Sequence, residues 1–198
     1  MRRPPPSRRG LRLFTGRLGV VVISALVLAA MAGTAVLLLG RRSDDEQTER
    51  QPAAVQPTGT VFRSRTLGVA GIRPPGWRLK SSRRALRLTS PERAAVVAIS
   101  AAPPSVGASA LMSSTLAAVG RSYRNQRLSR RRRAELGGYA GIAVSGSATN
   151  SRGVRLDLLI STAKGRRRTY LLQVFVARAA RLRVVEAQGL VESLELSG

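Results

Sequence analysis

Four consecutive arginines, Arg130, Arg131, Arg132 and Arg133, follow Arg121, Arg124 and Arg127, which are spaced at intervals of three. Guanidinium groups stay charged at physiological pH and present paired donors that match carboxylate and phosphate oxygens, so such a cluster offers anion recognition. A spacing of three places Arg121, Arg124 and Arg127 on one helical face, and the four-arginine run extends that basic surface. One reading is a docking patch for lipid headgroups, phosphate-rich envelope polymers or an acidic protein. The other is a solvated strand lead-in in an arginine-biased chain. A second triplet, Arg166, Arg167 and Arg168, reads as a soluble hairpin turn.

Other residue types limit the chemistry. The 198 residues include no cysteine and no histidine, which removes the thiol nucleophile, the commonest general base and the usual zinc ligands. Ser81, Ser82, Ser113 and Ser114 therefore have no histidine partner for a Ser-His triad. The acids beyond residue 60 (Glu92, Glu135, Asp157, Glu186, Glu192 and Glu195) are scattered, with no pattern that brings two carboxylates across a cleft. The expectation is a chain that is not an enzyme and uses no cofactor or metal. The only tryptophan, Trp77, follows Pro74-Pro75-Gly76. It reads as a core residue packed on a sheet edge or as a ligand mouth.

The charge is extreme. The chain carries 34 basic and 10 acidic side chains, for a net of +24, and 32 of the basic residues are arginine. Residues 61–198 hold 25 basic and 6 acidic side chains, about +19. A field of that size favours anionic partners. No helix-turn-helix, RNP-like or zinc pattern accompanies the charge, and aromatics do not interleave with it, so nucleic acid is not the expected partner.

The elements that position these residues begin with an anchor. Residues 18–40, LGVVVISALVLAAMAGTAVLLLG, form an uncharged apolar run. As a helix it spans roughly 35 Å, enough to cross a hydrocarbon core of about 30 Å. Six arginines and no acid precede it, so the N-terminus is expected in the cytoplasm and the rest outside. The competing reading is a cleaved signal peptide, but the run exceeds the usual apolar region of about 7 to 15 residues. Residues 1–17 read as a disordered basic cytoplasmic tail and residues 41–60 as a flexible linker. Residues 61–198 form the extracytoplasmic domain.

Within that domain, residues 61–72 read as a strand pair or bent strand broken at Gly68 and Gly71. Short strands follow at residues 77–80, 85–89 and 94–101, the last apolar enough to be central. A helix is expected over residues 105–125, with Leu111, Thr115, Ala118, Val119, Ser122 and Tyr123 along one face. The basic segment 126–136 leads to strands at 139–149, 154–163 and 169–177, the first two joined by an Asn150-Ser151-Arg152-Gly153 turn. A terminal helix over 179–194 is expected to turn Leu182, Val185, Leu190, Val191 and Leu194 inward. This order predicts an α+β fold, an antiparallel sheet flanked by helices and preceded by one transmembrane helix.

The strand at residues 68–72 running into Pro74-Pro75-Gly76-Trp77 resembles the P-x-G-W opening of the PsbP-like family of α/β/α sandwiches, which includes LpqN-type envelope lipoproteins. The helix before a strand, the Gly137-Gly138-Tyr139-Ala140 approach to a hairpin and the ending Val191-Glu192-Ser193-Leu194 fit the same pattern. The resemblance spans about residues 61–197. Many relatives carry a lipid-modified cysteine where this chain has an apolar run. The resemblance implies a non-catalytic binding or adaptor role and transfers no catalytic residues. The function expected is thus a membrane-anchored binding module of the cell envelope. The alternative is a small-ligand-binding or enzyme-accessory domain with a pocket between sheet and helix, near Trp77. The topology is directly testable. A reporter fused after Gly198 should be active only outside the cytoplasm, and the full chain should stay in membranes through a carbonate wash. A soluble mature chain starting near Gly33 would overturn the anchor.

Overall fold

The computed structural model describes residues 59–197. The expectations for the tail, the transmembrane helix and the linker up to residue 58 lie outside the described residues. Among the described residues no helix is long and apolar enough to cross a membrane. The chain order is β1 (Thr60–Ser64), β2 (Val69–Arg73), β3 (Arg78–Ser81), β4 (Ala85–Thr89), β5 (Ala95–Ala102), α1 (Ala108–Ser122), β6 (Arg124–Leu128), β7 (Arg132–Leu136), β8 (Tyr139–Thr149), β9 (Arg155–Lys164), β10 (Thr169–Ala177), α2 (Arg181–Glu192) and β11 (Glu195–Leu196). The expected strand pair at the start is the β1–β2 hairpin. It breaks at Gly68, whose φ of 65° favours glycine, and runs straight through Gly71.

Every pairing is antiparallel. Eight strands make one sheet, ordered β3-β4-β5-β10-β9-β8-β6 with β7 also on β8, and β1-β2-β11 form a second, smaller sheet. Strands β5 and β10 are central and buried on both faces, which is why their sequences are near-continuous apolar runs rather than alternating ones. Along β10, successive side chains feed two cores. Tyr170, Leu172, Val174 and Val176 pack with Trp77, Leu190 and the small sheet. Leu171 and Phe175 pack with Leu111, Met112 and Val119 of α1. The result is an α+β sandwich with α1 on one face of the large sheet and α2 plus the small sheet on the other.

Helix α1 matches its expected inward face at Leu111, Thr115, Ala118 and Val119, with Met112 added. It ends three residues earlier than expected, because Tyr123 is already extended (φ −125°, ψ 153°) and Asn125 adopts a left-handed φ of 50°. That turn lets the Gln126 amide reach back and donate to the carbonyl oxygens of Tyr123 (2.7 Å), Val119 (3.1 Å) and Gly120 (3.2 Å). One side chain thus supplies donors to the last-turn carbonyls, of which that of Val119 also accepts from the Tyr123 N–H (3.0 Å). Ser122, expected inward, is exposed.

Helix α2 corrects the sequence reading more sharply. Leu182 and Val185, expected inward, are 66% and 50% exposed. The inward stripe runs through Arg183, Glu186, Ala187 and Leu190, because the first turns dock through charge rather than through apolar packing. Leu190 and Leu194 are buried as expected, and Val191 is partly buried.

Tyr123 generates a test of the α1 core. Its ring stacks on Phe175 with centroids 5.4 Å apart. Burial pushes its hydroxyl up to about 12, opposed by the nearby Arg87 guanidinium. A phenol with a raised folded value supports folding below about pH 10, and that support is lost as pH rises toward 12. The loss should be on the order of 2–3 kcal/mol. Urea denaturation across pH 9 to 12 should show a shallower decline for Tyr123→Phe than for the parent, and equal declines would refute the assignment.

Candidate functional site

The arginine-rich segment forms an edge of the large sheet. Strands β6 and β7 both pair with β8, β6 beside its C-terminal half and β7 beside its N-terminal half. Two irregularities shape this edge. Between Arg124 and Arg127 the register shifts by one residue, at the left-handed Asn125. Between Leu128 and Arg132 lie three residues that oppose only two on β8, Val144 and Ser145. Ser129 holds this second bulge: its N–H donates to the Ser145 carbonyl (2.8 Å), and its Oγ accepts from the Ser145 N–H (3.1 Å). Gly146 permits the close approach, since a Cβ there would lie 2.1 Å from the Arg127 carbonyl oxygen.

Each extra residue reverses which face the following side chains take. Directly paired residues share a face, so Arg124 (opposite Thr149), Arg127 (opposite Ser147) and Arg132 (opposite Ala143) all lie on the α2 face of the sheet. Arg133, opposite Ile142, lies on the α1 face. Arg131 reaches α1, where its guanidinium donates to Ser113 Oγ (2.8 Å) and Ser109 Oγ (3.4 Å). Arg121 is in the last turn of α1, where its charge complements the helix dipole. All seven arginines are exposed. The helical face expected for Arg121, Arg124 and Arg127 does not form, because the helix stops at Ser122. Arg124 and Arg127 share a face through a bulge instead.

Trp77 takes the core place of its two readings. It is 2% exposed, and its indole N–H donates to Glu186 Oε2 at 2.7 Å. Arg183 donates to both oxygens of Glu186 (2.6 and 2.7 Å) and through Nε to Glu92 (3.1 Å). Its hydrogen bonds to Glu186 and then Glu92 hold the guanidinium above its ordinary range, and the same Arg183 bond lowers the Glu92 carboxyl. This network ties α2 to the β4–β5 turn.

The opposite flank of α2 is open. Helix α2 packs on β2, β5 and β10, leaving the same face of β8 and β9 partly uncovered. A groove of about 460 Å³ runs there, with Leu159, Val174, Val176, Val184 and Val191 as its apolar lining and Arg132, Ser145, Asp157, Gln188 and Glu192 among its polar residues. A pocket between sheet and helix was the alternative expectation; the groove lies across α2 from Trp77. A second cleft of about 500 Å³ on the same sheet face is lined by Asn125, Arg127, Ser147, Thr149, Arg155 and Arg178. Arg155 and Arg178 come together only in the fold, and the sequence reading missed them because they are isolated in the chain.

No family model matches the chain, and no curated protein matches its sequence. Solved structures do match its fold. The solution structure of cyanobacterial PsbP (CyanoP) from Synechocystis superposes with a TM-score of 0.54 at 11% identity, covering 75% of this chain and 98% of that one. The Ran-binding protein Mog1p of Saccharomyces cerevisiae gives 0.50 at 8% identity, covering 70% and 95%. LpqN of Mycobacterium tuberculosis, described as involved in cell envelope biogenesis, gives 0.46 at 15% identity, covering 66% and 83%. The chain spans 49% of the length of a Bacteroides thetaiotaomicron protein matched at 0.48 and 14% identity. The fold is thus PsbP-like, as the resemblance implied.

The network around Trp77 can be tested on a fragment of residues 59–198. Trp77→Ala should cost about 3–5 kcal/mol in urea denaturation, as large aromatic truncations in cores do. Trp77→Phe should cost less, about 1.5–3 kcal/mol, through loss of a hydrogen bond to a charged group. A loss below about 1 kcal/mol for the alanine variant would place the ring at the surface.

Proposed function

We propose that this protein is a membrane-tethered, non-catalytic binding module of the cell envelope that docks on an anionic partner through its β6–β7 edge. The observation that carries the reading is the doubly bulged edge. It distributes Arg124, Arg127 and Arg132 to one face of the sheet and Arg133 to the other, so the edge is cationic from both sides. The apolar run at residues 18–40 supports the tether, and the absence of histidine and cysteine from the sequence supports a role without catalysis. The resemblance to PsbP-like envelope proteins supports the envelope location, and the fold shared with CyanoP agrees with that resemblance. The partner is an anionic lipid surface, an envelope polymer or an acidic protein.

The alternative, a small-ligand-binding or enzyme-accessory domain, is favoured by one specific observation, the open groove between α2 and the sheet.

Sedimentation with vesicles containing an anionic phospholipid tests the docking reading. Arg130→Ser/Arg132→Ser/Arg133→Ser should weaken binding by on the order of 1 kcal/mol per arginine, and added salt should weaken the parent similarly. Arg131 is spared because it is tied to α1. Arg166→Ser/Arg167→Ser/Arg168→Ser should do less. Equal losses in both variants would mean a diffuse effect of net charge, and no loss in either would end the docking reading.

A further inference from the structure

We propose that the α2 face of β8 and β9 is a binding site for an anionic amphiphile, a molecule with one apolar chain and a phosphate headgroup. The site rests on the binding-module reading and gives it a ligand.

On this face, Val174 of β10 lies beside Leu159 of β9, which lies beside Ser145 of β8. The next row along the strands is Val176, Asp157, Ser147 and Arg127. The row after that holds Arg155, Thr149 and Arg124, with Arg178 next to Arg155 through the bond from its N–H to the Arg155 carbonyl (3.0 Å). Same-face rows are about 7 Å apart, so the surface changes from apolar to cationic over about 14 Å. Its apolar end is walled by Val184 and Val191 of α2, and Val184 is 40% exposed.

The polar end has the composition of an oxyanion site. Arg127, Arg155 and Arg178 line it together with Asn125, Ser147 and Thr149, and no carboxylate is among its lining residues. Asp157, in the middle row, is paired with Arg178 at 3.6 Å, so one of the three arginines is already shared. The remaining excess positive charge suits a phosphate, whose oxygens accept charge-assisted bonds from guanidinium groups. Backbone shape contributes too, since Asn125 holds the edge open in a left-handed conformation that non-glycine residues seldom adopt. A free phosphate would leave the valine-lined groove wet, and a neutral chain would leave the arginines without a counter-charge. An acidic head on an apolar chain satisfies both halves.

The test uses the full chain in nanodiscs of neutral phosphatidylcholine, a dodecyl phosphate carrying a photoreactive diazirine on its chain, and mass-spectrometric mapping of the adducts. Adducts are expected on β9 and α2, reduced at least threefold by Val184→Asn and by Arg155→Gln, and competed by unlabelled dodecyl phosphate. They should be unaffected by Arg130→Ser/Arg133→Ser, which reads the docking edge instead. Unchanged vesicle binding in that edge variant with labelling intact would therefore count against docking and leave the amphiphile site standing. Equal competition by inorganic phosphate would mean an oxyanion site alone, and equal competition by dodecyl maltoside an apolar groove alone; either overturns the proposal. Adducts absent at low salt but present at 1 M salt would mean the acidic residues 44–49 of the chain itself occupy the strip, which also overturns it. Adducts elsewhere, or unchanged in both groove variants, would do the same.

Discussion

Strand β10 has no solvent face over most of its length, and the layers of the molecule answer that constraint. Its odd and even side chains enter two separate cores, so both sides of the sheet must be covered or large apolar residues would face water. Helix α1 covers one side, and α2 with the β1–β2–β11 sheet covers the other. Coverage is necessarily incomplete. A helix about 10 Å across spans roughly two strands at a spacing of about 4.8 Å. The large sheet has seven strand positions across its width. Helix α2 sits over β5 and β10, and the unprotected remainder on β8 and β9 is where the open groove lies.

The same geometry determines where charge is placed. Six carboxylates cannot neutralise 25 cationic groups in residues 61–198, so most of the arginines need water or an external counter-charge. They occupy turns and the two sheet edges, with Arg78 and Lys80 on β3 and the long cluster on β6 and β7. Charge on edge strands also discourages pairing with other chains. That structural role accounts for cations at an edge, but it needs no particular face. The two bulges, which bring Arg124, Arg127 and Arg132 to one face at intervals of three and five, go beyond what edge protection requires.

Much of the carboxyl capacity is used internally. Glu92 and Glu186 converge on Arg183, and Glu186 also receives the Trp77 indole. This pins the first turns of α2 against the β3–β4 side and leaves its other flank facing the groove. The apolar residues Leu182 and Val185 are displaced outward by that choice of face.

The sequence by itself determined strands β1 to β5 and β8 to β10, the helix α1 and the α+β class, because those follow from local periodicity and from turn chemistry; β6, β7 and β11 were not read as strands. The alternation in residues 139–149 and 154–163 and the Asn150–Gly153 turn required no knowledge of neighbours. It also determined the net charge and the lack of histidine and cysteine, and the turn residues before Trp77 carried the resemblance to the PsbP-like fold. Tertiary structure decided which way side chains faced on α2 and along the β6–β7 edge. The inward stripe of α2 depended on a partner network from residues 77 and 92, and strand bulges reversed faces along β6 and β7. Arg155 and Arg178 joined Arg127 only through cross-strand register. Those outcomes depend on contacts between residues far apart in the chain, and local spacing contains no term for them.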